Sequence, residues 1–227
     1  AGWACAGFAG LLQLMFVAFP AQYAFWTPIF ATLSILTMVI GNFVALQQQQ
    51  VVRLLAYSSI AQAGYMLLPF ALVSADPGLN ASAFAASVTY ILIYSIMTLG
   101  AFAVVVAMSR EASSLQIADF AGLSRRAPVL AVAMTIFMVS LAGIPPLAGF
   151  FSKDEILWQT YSSPGGSKLL FGVGLATAGL TAFYMWRLMN MTFYGRSRLA
   201  EGVHPHESPK SMTIPLIALA VGSVFAG

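Results

Sequence analysis

The chain has 227 residues, of which 59% are hydrophobic and 7% charged, with a formal net charge of +3. A soluble domain carries about 25% charged residues, so this chain has too little polar surface to cover a globule in water. Its basic residues sit beside apolar runs and form no single patch, which argues against a nucleic-acid role. Cys5 is the only cysteine, which excludes an internal disulfide and a Cys-ligated metal cluster. The apolar runs reach the ~20 residues that a membrane-crossing helix needs, without the short alternating segments of a β-barrel. The expected fold is all-α: a polytopic transmembrane helix bundle of about six spans plus a partial seventh, in a single transmembrane domain over residues 1–227. Ala1 to Phe19 lacks the basic start of a signal peptide. The chain opens and closes inside apolar runs and reads as a piece of a longer protein.

Taken in order, span one is Gly2 to Phe19, stopped near Pro20. Span two is Phe25 to Leu46, followed by the polar connection Gln47–Gln50. Span three, Val52 to Val73, ends at the turn cluster Ser74-Ala75-Asp76-Pro77-Gly78. Span four is Ala81 to Met108. Within the linker Ser109 to Pro128, the residues Leu115, Ile117, Ala118, Phe120, Ala121 and Leu123 suggest a short interfacial helix. Span five starts at Val129, span six is Leu169 to Met191, and a seventh begins near Met212. If each run crosses once, Arg53, Arg110, Arg125, Arg126, Arg187, Arg196, Arg198 and Lys210 share one side, and only Lys153 and Lys168 take the other. Positive charge marks the cytoplasmic side, so the N-terminal end of the chain is expected there.

Span five is too long. From Val129 to Tyr161 a continuous helix would extend roughly 50 Å, against a hydrocarbon core of about 30 Å. Pro145 and Pro146 remove two N–H donors, and Gly143 and Gly149 loosen the flanks. Two geometries follow. Either the span ends near Phe151 and Lys153-Asp154-Glu155 is a solvated turn, or two half-helices flank an unwound Ile144–Ala148 and Lys153 sits near mid-membrane. In the second, the charged triplet is a candidate proton relay, because an ionisable group inside the membrane marks a functional site by default.

At these residues the chain resembles a known family. Ser140-Leu141-Ala142-Gly143-Ile144-Pro145-Pro146-Leu147-Ala148-Gly149-Phe150-Phe151-Ser152-Lys153 is similar to the broken twelfth transmembrane helix of the antiporter-like subunits of respiratory complex I, a family that includes the multi-subunit Na⁺/H⁺ antiporters. Arg53-Leu54-Leu55-Ala56-Tyr57-Ser58-Ser59-Ile60-Ala61-Gln62-Ala63-Gly64-Tyr65 is similar to another helix motif of that family. Asn42 to Gly149 looks most like the bacterial subunit N. From Gly149 onward, Thr181-Ala182-Phe183-Tyr184-Met185-Trp186-Arg187 and His204-Pro205-His206-Glu207-Ser208-Pro209 included, the chain looks more like subunit L.

The resemblance implies proton translocation in NADH:quinone oxidoreductase, in a bacterial inner or plasma membrane, with Lys153, Asp154 and Glu155 as relay residues. It implies other membrane subunits and the lipid bilayer as partners, quinone and NADH bound by other subunits, and no cofactor or redox centre in this chain. Span one would match the family's eighth helix and span six its thirteenth. The departures are that the family's Lys–Glu pair would precede Ala1, that span one holds no lysine, and that span four has only neutral residues, so the piece lacks a complete proton path. A sodium–proton antiporter subunit and a non-transporting scaffold stand as alternatives.

Other polar residues carry weaker expectations. Tyr57, Ser58, Ser59 and Gln62, together with Tyr90 and Tyr94, are candidate members of a water chain; interhelical packing accounts for them equally well. Thr98 continues the Tyr90–Tyr94 spacing of i, i+4, i+8. Arg53 and Arg187 read as interfacial anchors, and Trp3, Trp26 and Trp158 as interface residues. His204 and His206 with Glu207 are too few for a metal site.

Overall fold

The computed structural model describes residues 2–109, 115–122, 124, 127–193 and 210–226, the side chains of 2–5, 119 and 210 excepted. Arg110, Arg125, Arg126, Arg196, Arg198, His204, His206 and Glu207 lie outside the described residues, as does the side chain of Trp3. The described residues are helical throughout, apart from turns and one isolated bridge between Gln50 and Gln116.

Helix α1, Gly2–Leu12, runs into a π-turn at Gln13–Ala18 and a 3-10 turn at Pro20–Gln22. Helix α2 is Tyr23–Leu46. The indole N–H of Trp26 donates to Phe19 O at 3.1 Å, which ties α2 to the end of the first run. Trp26 is buried, whereas Trp158 is exposed. Helix α3, Val51–Leu67, tightens into a 3-10 turn at Leu68–Leu72 that carries Pro69. Asp76 then starts helix α4, Pro77–Ser109. Its carboxylate accepts from Gly78 N–H at 2.8 Å, with proline at the first helical position.

Helix α5 is Pro128–Ala142, α6 is Ala148–Ser162, α7 is Lys168–Phe193 and α8 is Lys210–Phe225. Among the described residues, four helical runs are long and apolar enough to cross a membrane: Pro20–Leu46, Val51–Leu72, Pro77–Ser109 and Lys168–Phe193. Shorter apolar helices cover Ala6–Ala18, Pro128–Ala142 and Ser211–Phe225. The first run, Gly2–Leu12 continued by Gln13–Ala18, follows the expected Gly2–Phe19 and ends where Phe19 leaves the helical region.

Small residues set the packing. Gly41 of α2 faces the backbone of Ala61, where an added Cβ would stand 2.6 Å from Ala61 N, and Gly64 of α3 faces Met38. These close approaches lay α2 along α3, as small residues do in membrane interfaces. Gly100 of α4 receives the ring of Phe137 from α5. Helix α4 also packs on α6 and α8, and α7 closes against α2, α5 and α6.

Among the described residues of the linker expected to hold an interfacial helix, Ile117–Phe120 forms a 3-10 turn and Ser124 is helical. The linker's backbone pairs elsewhere: Val51 N–H donates to Leu115 O at 3.1 Å and Ile117 N–H to Gln49 O at 2.8 Å. Ile117, Phe120 and Ala121 are buried, so this part of the linker is strapped onto the glutamine connection. Leu123 lies outside the described residues.

Candidate functional site

The site grows from two missing hydrogens. In a continuous helix the carbonyls of Leu141 and Ala142 would accept from residues 145 and 146, but both are prolines without an N–H. Helix α5 accordingly stops at Ala142 and α6 begins at Ala148. Gly143 sits in the left-handed region with φ +74. Gly143 N–H donates to Ser140 O at 2.9 Å and Ile144 N–H to Val139 O at 3.2 Å. This Schellman closure satisfies two carbonyls and leaves that of Leu141 for other donors.

Two side chains take it. Lys153 Nζ donates to Leu141 O at 2.8 Å, and Gln62 Nε2 donates to the same oxygen at 3.3 Å. A carbonyl has two lone pairs and accommodates both. Lys153 is 5% exposed. Its stem passes over Gly143, where a Cβ would stand 3.1 Å from Lys153 Cδ. Gln62 in turn accepts from the hydroxyl of Tyr90 at 2.5 Å. Tyr94 stacks on Tyr90, with centroids 6.4 Å apart and planes 11° apart. Gln62 and Tyr90 both fall near the middle of span-length helices, α3 with its terminal turn and α4.

A second polar line leaves the lysine on its other side. Lys153 Nζ lies 5.1 Å from the centroid of the Tyr65 ring. The Tyr65 hydroxyl donates to Gly174 O at 2.7 Å and stands 2.9 Å from Thr177 Oγ1. One turn further along α7, Thr181 Oγ1 lies 2.8 Å from Asn42 Oδ1 on α2. Tyr184 donates to Ser58 at 3.1 Å. Tyr65, Thr177, Thr181, Asn42 and the Leu141 carbonyl are members of this site that sequence reading does not single out. Only the last has a signal, the proline four residues on.

The two half-helices are held by a shared hydroxyl. Ser140 Oγ accepts from Gly149 N–H at 3.1 Å and donates to Ser223 O of α8 at 3.3 Å. Gly149 is the second residue of α6, so a serine nine positions away supplies the cap that Leu147 cannot. A Cβ on Gly149 would run into Ser140 O, which makes this glycine a requirement of the close approach.

The other expected site residues disperse. Asp154 and Glu155 are exposed. Glu155 accepts from Gln159 Nε2 at 2.6 Å on its own helix. It lines a cavity of about 350 Å³ with Ser82, Thr89, Ser152 and Gln159. The triplet therefore does not act on one spot, because successive helical residues point about 100° apart. Tyr57 is half-buried, and Ser59 bonds back to Leu55 O at 2.9 Å. Ser59 and Tyr94 share a cavity of about 230 Å³ away from the lysine. Pro145 and Pro146 are exposed at the break. Arg53 is exposed at the start of α3, as an anchor would be. Arg187 is more than an anchor: its Nη1 donates to Leu46 O at 2.6 Å and caps the C-terminus of α2. Among the described residues, no three His, Cys, Asp or Glu side chains are placed to hold a metal ion.

Known proteins resemble this chain in sequence and in fold. The family described as NADH:quinone oxidoreductase/Mrp antiporter, TM, matches residues 1–181. The chain is 39% identical to NADH-quinone oxidoreductase subunit N of Chloroflexus aggregans over 220 residues, 96% of this chain and 43% of that protein. It is 37% identical to subunit N of Trichlorobacter lovleyi, across 100% of this chain and 45% of that one. The similarity to subunit N thus runs through the stretches that look L-like.

A chain in the structure of respiratory complex I from Thermus thermophilus with bound aureothin superposes with a TM-score of 0.68 at 31% identity, covering 86% of this chain and 42% of that one. A chain of the Mrp complex from Dietzia sp. gives a TM-score of 0.82 at 21% identity, covering 95% and 46%, a likeness of fold alone. The chain spans less than half the length of the curated relatives it matches. The membrane-length helices and these relatives make it an integral membrane protein. It belongs to the NADH:quinone oxidoreductase/Mrp antiporter transmembrane family.

Proposed function

We propose that this chain translocates protons across the membrane as part of an antiporter-like subunit of an NADH:quinone oxidoreductase, with Lys153 as the relay residue. The observation that carries this reading is the buried Lys153 amine on the carbonyl that Pro145 releases. Helices α5 and α6 are each 15 residues, about 22 Å long, and neither spans a core of about 30 Å alone. In series they make one crossing, broken where the lysine sits. The bias of basic residues toward one side in the sequence supports a cytoplasmic N-terminal end of the chain.

A buried ammonium is expensive unless it is paired. The bond to Leu141 O offsets part of that cost and leaves the lysine sensitive to charge and water nearby. Redox steps in other subunits would move its proton by changing that surrounding, since the charged form of a buried amine depends on nearby charge and water. Gln62, Tyr90 and Tyr94 extend the polar line from the lysine into α4. Ser87 and Thr98, whose buried hydroxyls have no partner among the described residues, carry it along that helix. Asp154 and Glu155, on the exposed face of α6, serve the approach to the cavity beside Thr89 rather than the lysine itself. Quinone and NADH belong to other subunits in this reading, and this chain carries no redox step.

Lys153→Ala in the full-length subunit should abolish most proton pumping while the complex assembles and oxidises NADH. Normal pumping by that variant would defeat the assignment. A sodium–proton exchange role is the second reading, since the family description spans both classes. It predicts a sodium-dependent pH change that the first does not.

A further inference from the structure

Lys153 is buried with no carboxylate turned toward it on its own helix, since Asp154 and Glu155 face outward. An ammonium has three donors, and one of them is committed to Leu141 O. Beside it stands Tyr65, fully buried, with its ring centroid 5.1 Å from Nζ. A cation within about 6 Å of a ring centroid is attracted by the π face. The phenol oxygen of Tyr65 is occupied elsewhere, by Gly174 O and Thr177 Oγ1 on α7. Those bonds fix the ring's tilt and leave its face, not its hydroxyl, for the lysine. Tyr65 also leans on Tyr90, with centroids 6.4 Å apart, so the ring is held from both sides.

We infer that Tyr65 is a positioning residue for the relay, whose aromatic face serves as counter-partner to the Lys153 ammonium. The inference rests on the reading of Lys153 given above. It explains why the site works with a carbonyl and a ring where an interior cation more commonly meets a carboxylate. It also gives the α3–α7 contact a role, because the Gly174 and Thr177 bonds aim the ring.

The test uses the full-length subunit in its assembled complex, with proton pumping measured in membrane vesicles. Tyr65→Phe keeps the ring but loses the hydroxyl bonds that aim it and should pump at a level between the parent and Tyr65→Leu, which should lose about tenfold or more, the scale of a desolvated cation–π contact. A series of mono-, di- and trifluorinated phenylalanines at position 65 then drains the ring's negative face without changing its shape. Pumping should fall stepwise along that series. A flat series, or Tyr65→Leu equal to Tyr65→Phe, overturns the inference. If Tyr65→Leu does not assemble, the fluorinated series alone decides. Lys153→Ala is the control that separates the two claims: if it pumps normally the relay reading fails, whereas a dead Lys153→Ala beside a flat series removes only Tyr65.

Discussion

Replacing Gly143 with alanine probes the pocket from the backbone side, and the structure allows its cost to be divided. Gly143 has φ +74, and an L-residue in that region pays about 1–2 kcal/mol. The new Cβ would lie 3.1 Å from Lys153 Cδ and 3.7 Å from Nζ, so the lysine stem must move. If the move breaks the bond to Leu141 O, a further ~1.5–3 kcal/mol follows, the usual worth of a hydrogen bond to a charged group. In the Lys153→Ala background that second cost has already been incurred, and only the backbone strain remains. Unfolding the full-length subunit in detergent, for the parent, both single variants and the pair, completes a double-mutant cycle. The two substitutions should fall short of additivity by about 1.5–3 kcal/mol. Additivity within about 0.5 kcal/mol would mean that Gly143 and Lys153 do not share a pocket, and the reasoning about the break would fail.

Two further outcomes are expected. Gln62→Leu removes one donor from Leu141 O and leaves the Tyr90 hydroxyl without its acceptor. It should destabilise the subunit by about 1–3 kcal/mol and slow pumping, measured on the same samples. Arg187→Met should cost about 1 kcal/mol through the lost cap on α2. It should leave pumping nearly unchanged, because Arg187 contacts Leu46 O rather than the polar line.

Much of the fold is legible from hydropathy, because a span-length apolar run has few alternatives to a helix in a membrane. The break between Ala142 and Ala148 is legible from Pro145 and Pro146, whereas spacing alone suits a solvated Lys153 equally well and only the family resemblance favours its burial. Facing is harder to read. Asp154 and Glu155 look like companions of Lys153 in the written sequence, yet one and two steps along a helix turn them away from it. Gln62 and Tyr90 are each legible as polar residues within spans, but nothing local tells that they meet, since 28 residues separate them. Tyr65, Thr177, Thr181 and Asn42 are hidden for the same reason: each partner lies on a distant helix, 112 and 139 residues away. In the linker, the backbone of Leu115 and Ile117 pairs with Val51 and Gln49, and pairing between distant segments leaves no periodic trace.

A relay at Lys153 requires its side chain to lie inside the protein at membrane depth, out of reach of bulk water. Thiol labelling at that position tests this directly. In the full-length subunit, with Cys5 and any further cysteines replaced, Lys153→Cys should resist a membrane-impermeant maleimide applied from either side of the membrane. Lys168→Cys, exposed at the start of α7, should react readily from one side. Labelling of Lys153→Cys as fast as that of Lys168→Cys would place position 153 in bulk water and contradict the account.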